Sequence, residues 1–135
     1  MQTDRYDYSP IIGRKPIHWP SKARVALMIA PNIEFFHVDK VIPGASSSQL
    51  PDVTGYALRD YGSRIGVFRM MEVLDKHGIR ATVLLNSDVC AHHLAIIEEG
   101  NKRGWEWLGH GVTNNIRMNQ YPAEEERAVV RQIKE

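Results

Sequence analysis

The chain has a single cysteine, Cys90, in 135 residues. No internal disulfide can form, which excludes disulfide-stapled secreted scaffolds and points to a reducing compartment, the cytoplasm. No run of about 18 apolar residues occurs, so no membrane span is expected. The first seven residues lack the apolar stretch of a signal peptide. Neither sign of charge is in excess: 17 Lys and Arg stand against 16 Asp and Glu, a net charge of +1. That balance offers no field to draw nucleic acid or an anionic membrane. There is no Gly-x-Gly-x-x-Gly, no phosphate-binding loop and no repeat at solenoid periods. What remains is an ordinary globular composition, 43% hydrophobic and 24% charged, long enough for one domain and too short for two.

Residues 1–23 are aperiodic and carry Tyr6, Tyr8, Pro10, Pro16, Trp19 and Pro20. They read as an N-terminal arm lying over the domain, since Pro denies regular structure and aromatics favour burial. From Arg24 the chain becomes strand-like. Val25–Ala30 is continuously apolar, as in a strand covered on both faces of a parallel sheet. A Ser-, Gly- and Pro-rich loop is expected over 43–55, either a binding loop or a plain connection. A helix is expected over Ser63–His77, with Ser63 as N-cap, Val67, Met70, Met71 and Leu74 on one face, and Gly78 just past its end. A second strand, 79–85, ends at Asn86. A helix follows over Asp88–Arg103, with Leu94, Ile96 and Ile97 as its stripe. A third strand, 105–109, ends at His110. Pro122 then opens a last helix whose first turn holds Glu124, Glu125 and Glu126.

Alternating strands and helices imply a parallel sheet or barrel, in which ligands bind beyond the C-terminal strand ends. Those ends carry Asn32 and Glu34, Asn86, and His110. A carboxylate and an imidazole on one rim can hold a divalent metal, act as general base and acid, or hydrogen-bond each other as structure. Asn32, Asn86, Asn114 and Asn115 can orient a carbonyl or a water, though Asn is also an ordinary turn residue. The polar run Arg59–Arg64 precedes the expected helix and can meet substrate, a neighbouring subunit, or only itself. His92 and His93 diverge by about 100° on a helix and make no metal pair. His18, His37 and His77 have no spaced partner. Cys90 reads as a small buried hydrophobe.

These residues resemble the polysaccharide deacetylase (NodB-homology) superfamily, in particular the branch of allantoinase-like enzymes. The resemblance rests on Trp19–Ala26, on Pro51-Asp52-Val53 with Arg59–Val67, on Gly78–Thr82, on Gly104–Gly111 and on Glu124–Ala128. It implies an α/β fold, the N-terminal portion of a distorted (β/α) barrel of glycoside hydrolase/deacetylase type, with about three βα units in residues 24–135. It implies hydrolysis of a carbon–nitrogen bond other than a peptide bond, in an N-acetylated sugar or a cyclic ureide. In metal-dependent members a paired acid and a His-x-x-x-His motif supply a base and the ligands of a divalent cation, usually zinc.

The chain departs from both motifs. Asn32-Ile33-Glu34 puts an amide where the catalytic Asp is expected and Glu34 where a ligand is expected. His110-Gly111-Val112-Thr113-Asn114 keeps the first His and replaces the second by Asn. Glu34 and His110 are therefore the candidate catalytic residues and the only good metal donors, an incomplete set for zinc. Asn32, Asn86, Asn114 and Arg59 are the candidate substrate-binding residues. Metal-independent hydrolysis is an equal expectation. The competing readings are a non-catalytic carbohydrate- or ureide-binding relative, and a partial barrel completed by self-association or by a missing half.

A closed barrel of this type takes about 250 residues and eight strands. The chain is accordingly expected to be truncated at the C-terminus, since 132–135 read as mid-helix, and to be inactive alone. The expected partners are a small-molecule or carbohydrate substrate and further copies of the chain, with neither nucleic acid nor membrane.

Overall fold

The computed structural model describes residues 6–44 and 49–135. Residues 1–5 of the arm and 45–48 of the expected loop lie outside them.

Three strands form one parallel sheet in chain order. β1 (Asn32–Ile33) pairs with β2 (Thr82–Leu85), and β2 pairs with β3 (Glu106–Gly109). Leu84 lies beside Asn32 on one side and Leu108 on the other, so the three C-terminal strand ends come out together. The connections are helical. α1 (Val53–Tyr61) runs through a π-helical turn, Gly62–Gly66, into α2 (Val67–Lys76). α3 (Ser87–His92) and α4 (Leu94–Lys102) follow β2, and α5 (Ala123–Lys134) follows β3. This is the mixed α/β architecture with a parallel sheet expected from the alternation.

The core lies between the sheet and α2, α3 and α4. Val83 and Leu85 of β2 are buried beneath Met71 and Leu74 of α2, with Val89, Ile96 and Trp105 completing the cluster. Burying each such side chain stabilises by about 1.5–3 kcal/mol relative to leaving it exposed. The stripe expected for α2 forms: Val67, Met71 and Leu74 are buried and Met70 packs against them. Gly78 (φ +62°) and Gly104 (φ +64°) close α2 and α4 in the left-handed conformation. There the Ile79 N–H reaches the Leu74 carbonyl and the Trp105 N–H reaches that of Gly100, each at 3.0 Å. Gly100 is needed for another reason, since a Cβ there would lie 2.5 Å from the Trp107 ring.

Several expectations are corrected. The stretch Val25–Ala30 is not a doubly covered strand. Only its end reaches β2: the carbonyl of Ile29, and that of Pro31 just beyond the stretch, accept from the Thr82 and Leu84 N–H groups at 3.0 Å. Val25, Leu27 and Met28 nonetheless remain 75%, 77% and 67% exposed. The reason is position: this is the edge of the sheet, and Ile29 is the side chain of the stretch that turns in against the core. The helix expected at Ser63 begins ten residues earlier. Asp52 is its cap, accepting from the Gly55 N–H at 2.9 Å, and the backbone stays helical through Ser63. Gly55 and Gly62, poor helix formers, hid that first half. The helix expected over 88–103 is broken at His93, and Leu94 faces solvent while Val89, Ile96 and Gly100 form the buried side. In the arm, Tyr6 and Tyr8 are exposed rather than packed down, and Cys90 is exposed rather than buried.

Candidate functional site

The C-terminal strand ends are held together by one buried amide. Asn86 is fully buried; its Oδ1 accepts the Phe35 N–H at 2.9 Å, and its Nδ2 donates to the carbonyls of His110 and Gly111. Asn86 thus ties the segment after β1 to the segment after β3, and sits inside the fold rather than on a cavity wall. A second tie comes from the loop after β3. Thr113 donates to the Phe35 carbonyl at 3.0 Å. Asn115 accepts the His37 N–H at 2.7 Å and donates to the carbonyls of His37, Lys40 and Val41. Removing such buried partners strands backbone groups at about 1–3 kcal/mol each.

These ties place Glu34 against His110. Glu34 Oε1 lies 3.3 Å from His110 Nε2 and 3.4 Å from Asn32 Nδ2. The two side chains are 26% and 32% exposed, sheltered but open to solvent. An ionised carboxylate only accepts, so the contact requires the proton on His110 Nε2. Both contacts fall on Oε1, which leaves Oε2 without a hydrogen-bonding partner among the described residues.

Beside this pair is an open cavity of about 350 Å³ between β1 and the π-helical turn, within the size range of small-molecule sites. Asn32, Glu34, Arg59 and Ser63 supply its polar side chains, and Ile33, Phe36 and Val67 much of its apolar wall. The Arg59 guanidinium is anchored on the Gly55 carbonyl at 2.9 Å and lies 4.9 Å over the Phe36 ring. His110 and Asn114 open on the other side, onto a depression of about 340 Å³ shared with Arg117. The structure therefore brings Asn32, Glu34 and Arg59 to one cavity, and joins His110 to them through Glu34. Asn114 is fixed by its backbone, whose N–H donates to the Phe35 carbonyl at 2.9 Å.

Sequence reasoning missed a neighbouring cluster. His37 is not without a partner: its Nε2 lies 3.0 Å from Asp88 Oδ2. Phe35 packs among three imidazoles, with ring centroids of His92, His37 and His93 at 4.6, 5.0 and 5.5 Å. Asp88 in the first turn of α3, three residues past the end of β2, was the available signal; its partner 51 positions earlier was not.

Among the described residues no three His, Cys, Asp or Glu side chains gather in a metal-holding group. Glu34 and His110 alone do not fit a zinc centre of three protein ligands.

No protein-family model matches the chain, and no curated protein matches it. Solved structures do. The Puue allantoinase shares 24% identity over 95% of this chain with a TM-score of 0.74. A protein described as a polysaccharide deacetylase, from Mycobacterium smegmatis, shares 18% identity over 89% with a TM-score of 0.56. The fold of this chain is the one found in those proteins. The chain spans about half their length, 48% of the first and 41% of the second. No helix among the described residues is long and apolar enough to cross a membrane.

Proposed function

We propose that the chain carries one wall of a hydrolytic site for a carbon–nitrogen bond other than a peptide bond, in a ureide or an N-acetylated sugar. The observation that carries this reading is the Glu34–His110 contact at 3.3 Å on the rim of the 350 Å³ cavity. The shared fold with an allantoinase and a deacetylase supports it.

In this reading Arg59 and Asn32 hold the substrate carbonyl. Glu34 Oε2 takes a proton from water as its oxygen bonds to the carbonyl carbon. His110 then gives the Nε2 proton to the departing nitrogen as the carbon–nitrogen bond breaks, and the proton on Glu34 restores it. Paired groups of this kind contribute roughly 10²–10⁴-fold each. Zinc belongs to the proposal only as a condition to vary.

The test has two readouts. Allantoin and N-acetylated chito-oligosaccharides are titrated into the chain and followed by amide shifts. Saturable binding of one of them is expected, weakened in Arg59→Ala. Turnover is then measured with and without zinc, for the chain alone and for the chain mixed with a complementary barrel half. Turnover in at least one of these forms is expected, lost in Glu34→Gln and His110→Ala. Absence of binding and turnover in every form rejects the reading. Binding without turnover in any form favours the non-catalytic alternative, which Asn32 in place of an acid motivates.

The exposed edge at Val25, Leu27 and Met28 supports a second element of the proposal. The remaining wall of the site comes from another copy of the chain or from a complementary half.

A further inference from the structure

The sheet is open on both sides, since β1 and β3 are its edge strands. The Ile29, Pro31 and Ile33 carbonyls accept from β2 and Asn86 at 3.0, 3.0 and 3.2 Å. Strand alternation therefore turns the peptide groups of Ala30, Asn32 and Glu34 away from β2. On the other edge the Glu106 and His110 N–H groups donate to the Ala81 and Leu85 carbonyls at 3.0 and 2.9 Å, which leaves Trp107 and Gly109 turned outward. α5 lies in the helix layer: Trp105 and Trp107 face Gly100 of α4, and Gly109, on the same side of β3, faces Ile133. Yet α5 buries no residue, and Val130, one turn before Ile133, is 52% exposed. Beside the β1 edge the opposite condition holds. There the helical run from α1 to α2 presents a smooth face. Leu58 is 75% exposed, Gly62 and Gly66 line the 350 Å³ cavity, and a Cβ on Gly62 would meet nothing within 4 Å. One chain thus carries both a helix face without cover and a groove without an occupant.

We propose that the groove takes α5 of a second copy of this chain, the two copies being related by a two-fold axis parallel to the strands. That axis sets β3 of each copy beside β1 of the other in the parallel sense. It does so twice, so no strand edge is left open. A right-handed crossover carries the helix after a parallel strand over toward the next strand. The strand next to β3 is then β1 of the other copy, and α5 falls on that copy's groove. Val130 and Ile133 of one copy meet Leu58, Gly62 and Gly66 of the other, where the absence of side chains lets two backbones approach closely. Leu108, 48% exposed on the sheet face away from the helices, is enclosed by the same step. Charge agrees: Glu124, Glu125 and Glu126 open α5 with no ion-pair partner among the described residues, and Arg69 on α2 has only the Tyr61 hydroxyl, at 3.0 Å. Size agrees as well, since one copy spans 48% of the allantoinase that shares its fold. The second copy covers the apolar part of the cavity and leaves Asn32 and Glu34 at its rim. That it thereby walls a hydrolytic site rests on the proposed function; the pairing itself does not.

The experiment uses the full 135-residue chain without any ligand. Its mass is followed by sedimentation equilibrium over a concentration series. Reversible doubling from 15.4 kDa is expected, with no larger species. Val130→Glu spoils the α5 face and Gly62→Leu fills the groove; each should weaken pairing by about tenfold or more. Both positions are open in the single chain, so the circular dichroism of each variant should match the wild type. If Gly62→Leu disturbs the fold, Leu58→Glu takes its place at the same groove. Mixing the α5 variant with the groove variant should restore pairing in part, because one of the two contacts then joins an intact α5 to an intact groove. A chain that stays at 15.4 kDa throughout overturns the proposal, as does an open-ended series of larger species. So does pairing that both variants leave unchanged, or a mixture that pairs no better than its components. Because no substrate enters, failure here is distinct from a failure to bind or hydrolyse one.

Discussion

β2 and the stretch Val25–Ala30 are written in the same letters and meet opposite surroundings. Both are short apolar runs; Val83 in the first is fully buried, while Leu27 in the second is 77% exposed. β2 has a strand on each side and helices above it, whereas the earlier stretch lies at the sheet edge, with Ile29 against the core and Val25, Leu27 and Met28 exposed. Apolarity in a strand therefore reports the contact that a segment is suited to make. It does not report whether the chain supplies that contact itself.

Substitutions can break or sharpen that contrast. Met71→Ala empties the centre of the packed side and should cost about 2–5 kcal/mol, read by chemical denaturation. Leu27→Ser should change stability by less than about 0.5 kcal/mol in dilute solution. A large, concentration-dependent loss in Leu27→Ser would show the edge covered by another copy, and the two regions would cease to differ. Asn86→Leu comes next, at about 2–3 kcal/mol, since it strands the Phe35 N–H and two carbonyls. Gly100→Ala drives a methyl against Trp107 and should cost about 1–3 kcal/mol. Neutral behaviour there would mean that α4 and β3 shift apart easily.

The smallest effect is one of pH. Burial lowers the His93 pKa from its ordinary value of 6.5. Below 6.5 the unfolded chain binds the extra proton first, so this contribution is present above 6.5 and declines as pH falls to the lower folded value. His93→Phe should flatten the stability profile on the acid side. An unchanged slope would show that another group governs it.

Much of this was legible in the chain. The order of strands and helices, the α2 stripe and Gly78 followed from periodicity and caps, because those signals are local. So did the arrival of Asn32, Glu34 and His110 at one rim, because strand ends in a parallel sheet share a side. The roles of Asn86 and Asn115 were not legible. Both bond backbone groups brought near by the fold, and nothing in the residue type separates a ligand-facing amide from a buried strap. The α1 start was hidden by two glycines, Gly55 and Gly62, and was marked by the Asp52 cap. His37 with Asp88 is a pairing across long sequence separation, which periodicity does not encode.

The lone thiol has a practical meaning. Cys90 is exposed on α3, two residues before the imidazole stacked on Phe35. Partial burial raises its pKa, so it is a sluggish nucleophile at neutral pH and alkylates more readily in mild base. With no second cysteine to compete, a fluorophore or spin label attached there would report from one known address, next to the ring that packs the strand ends together.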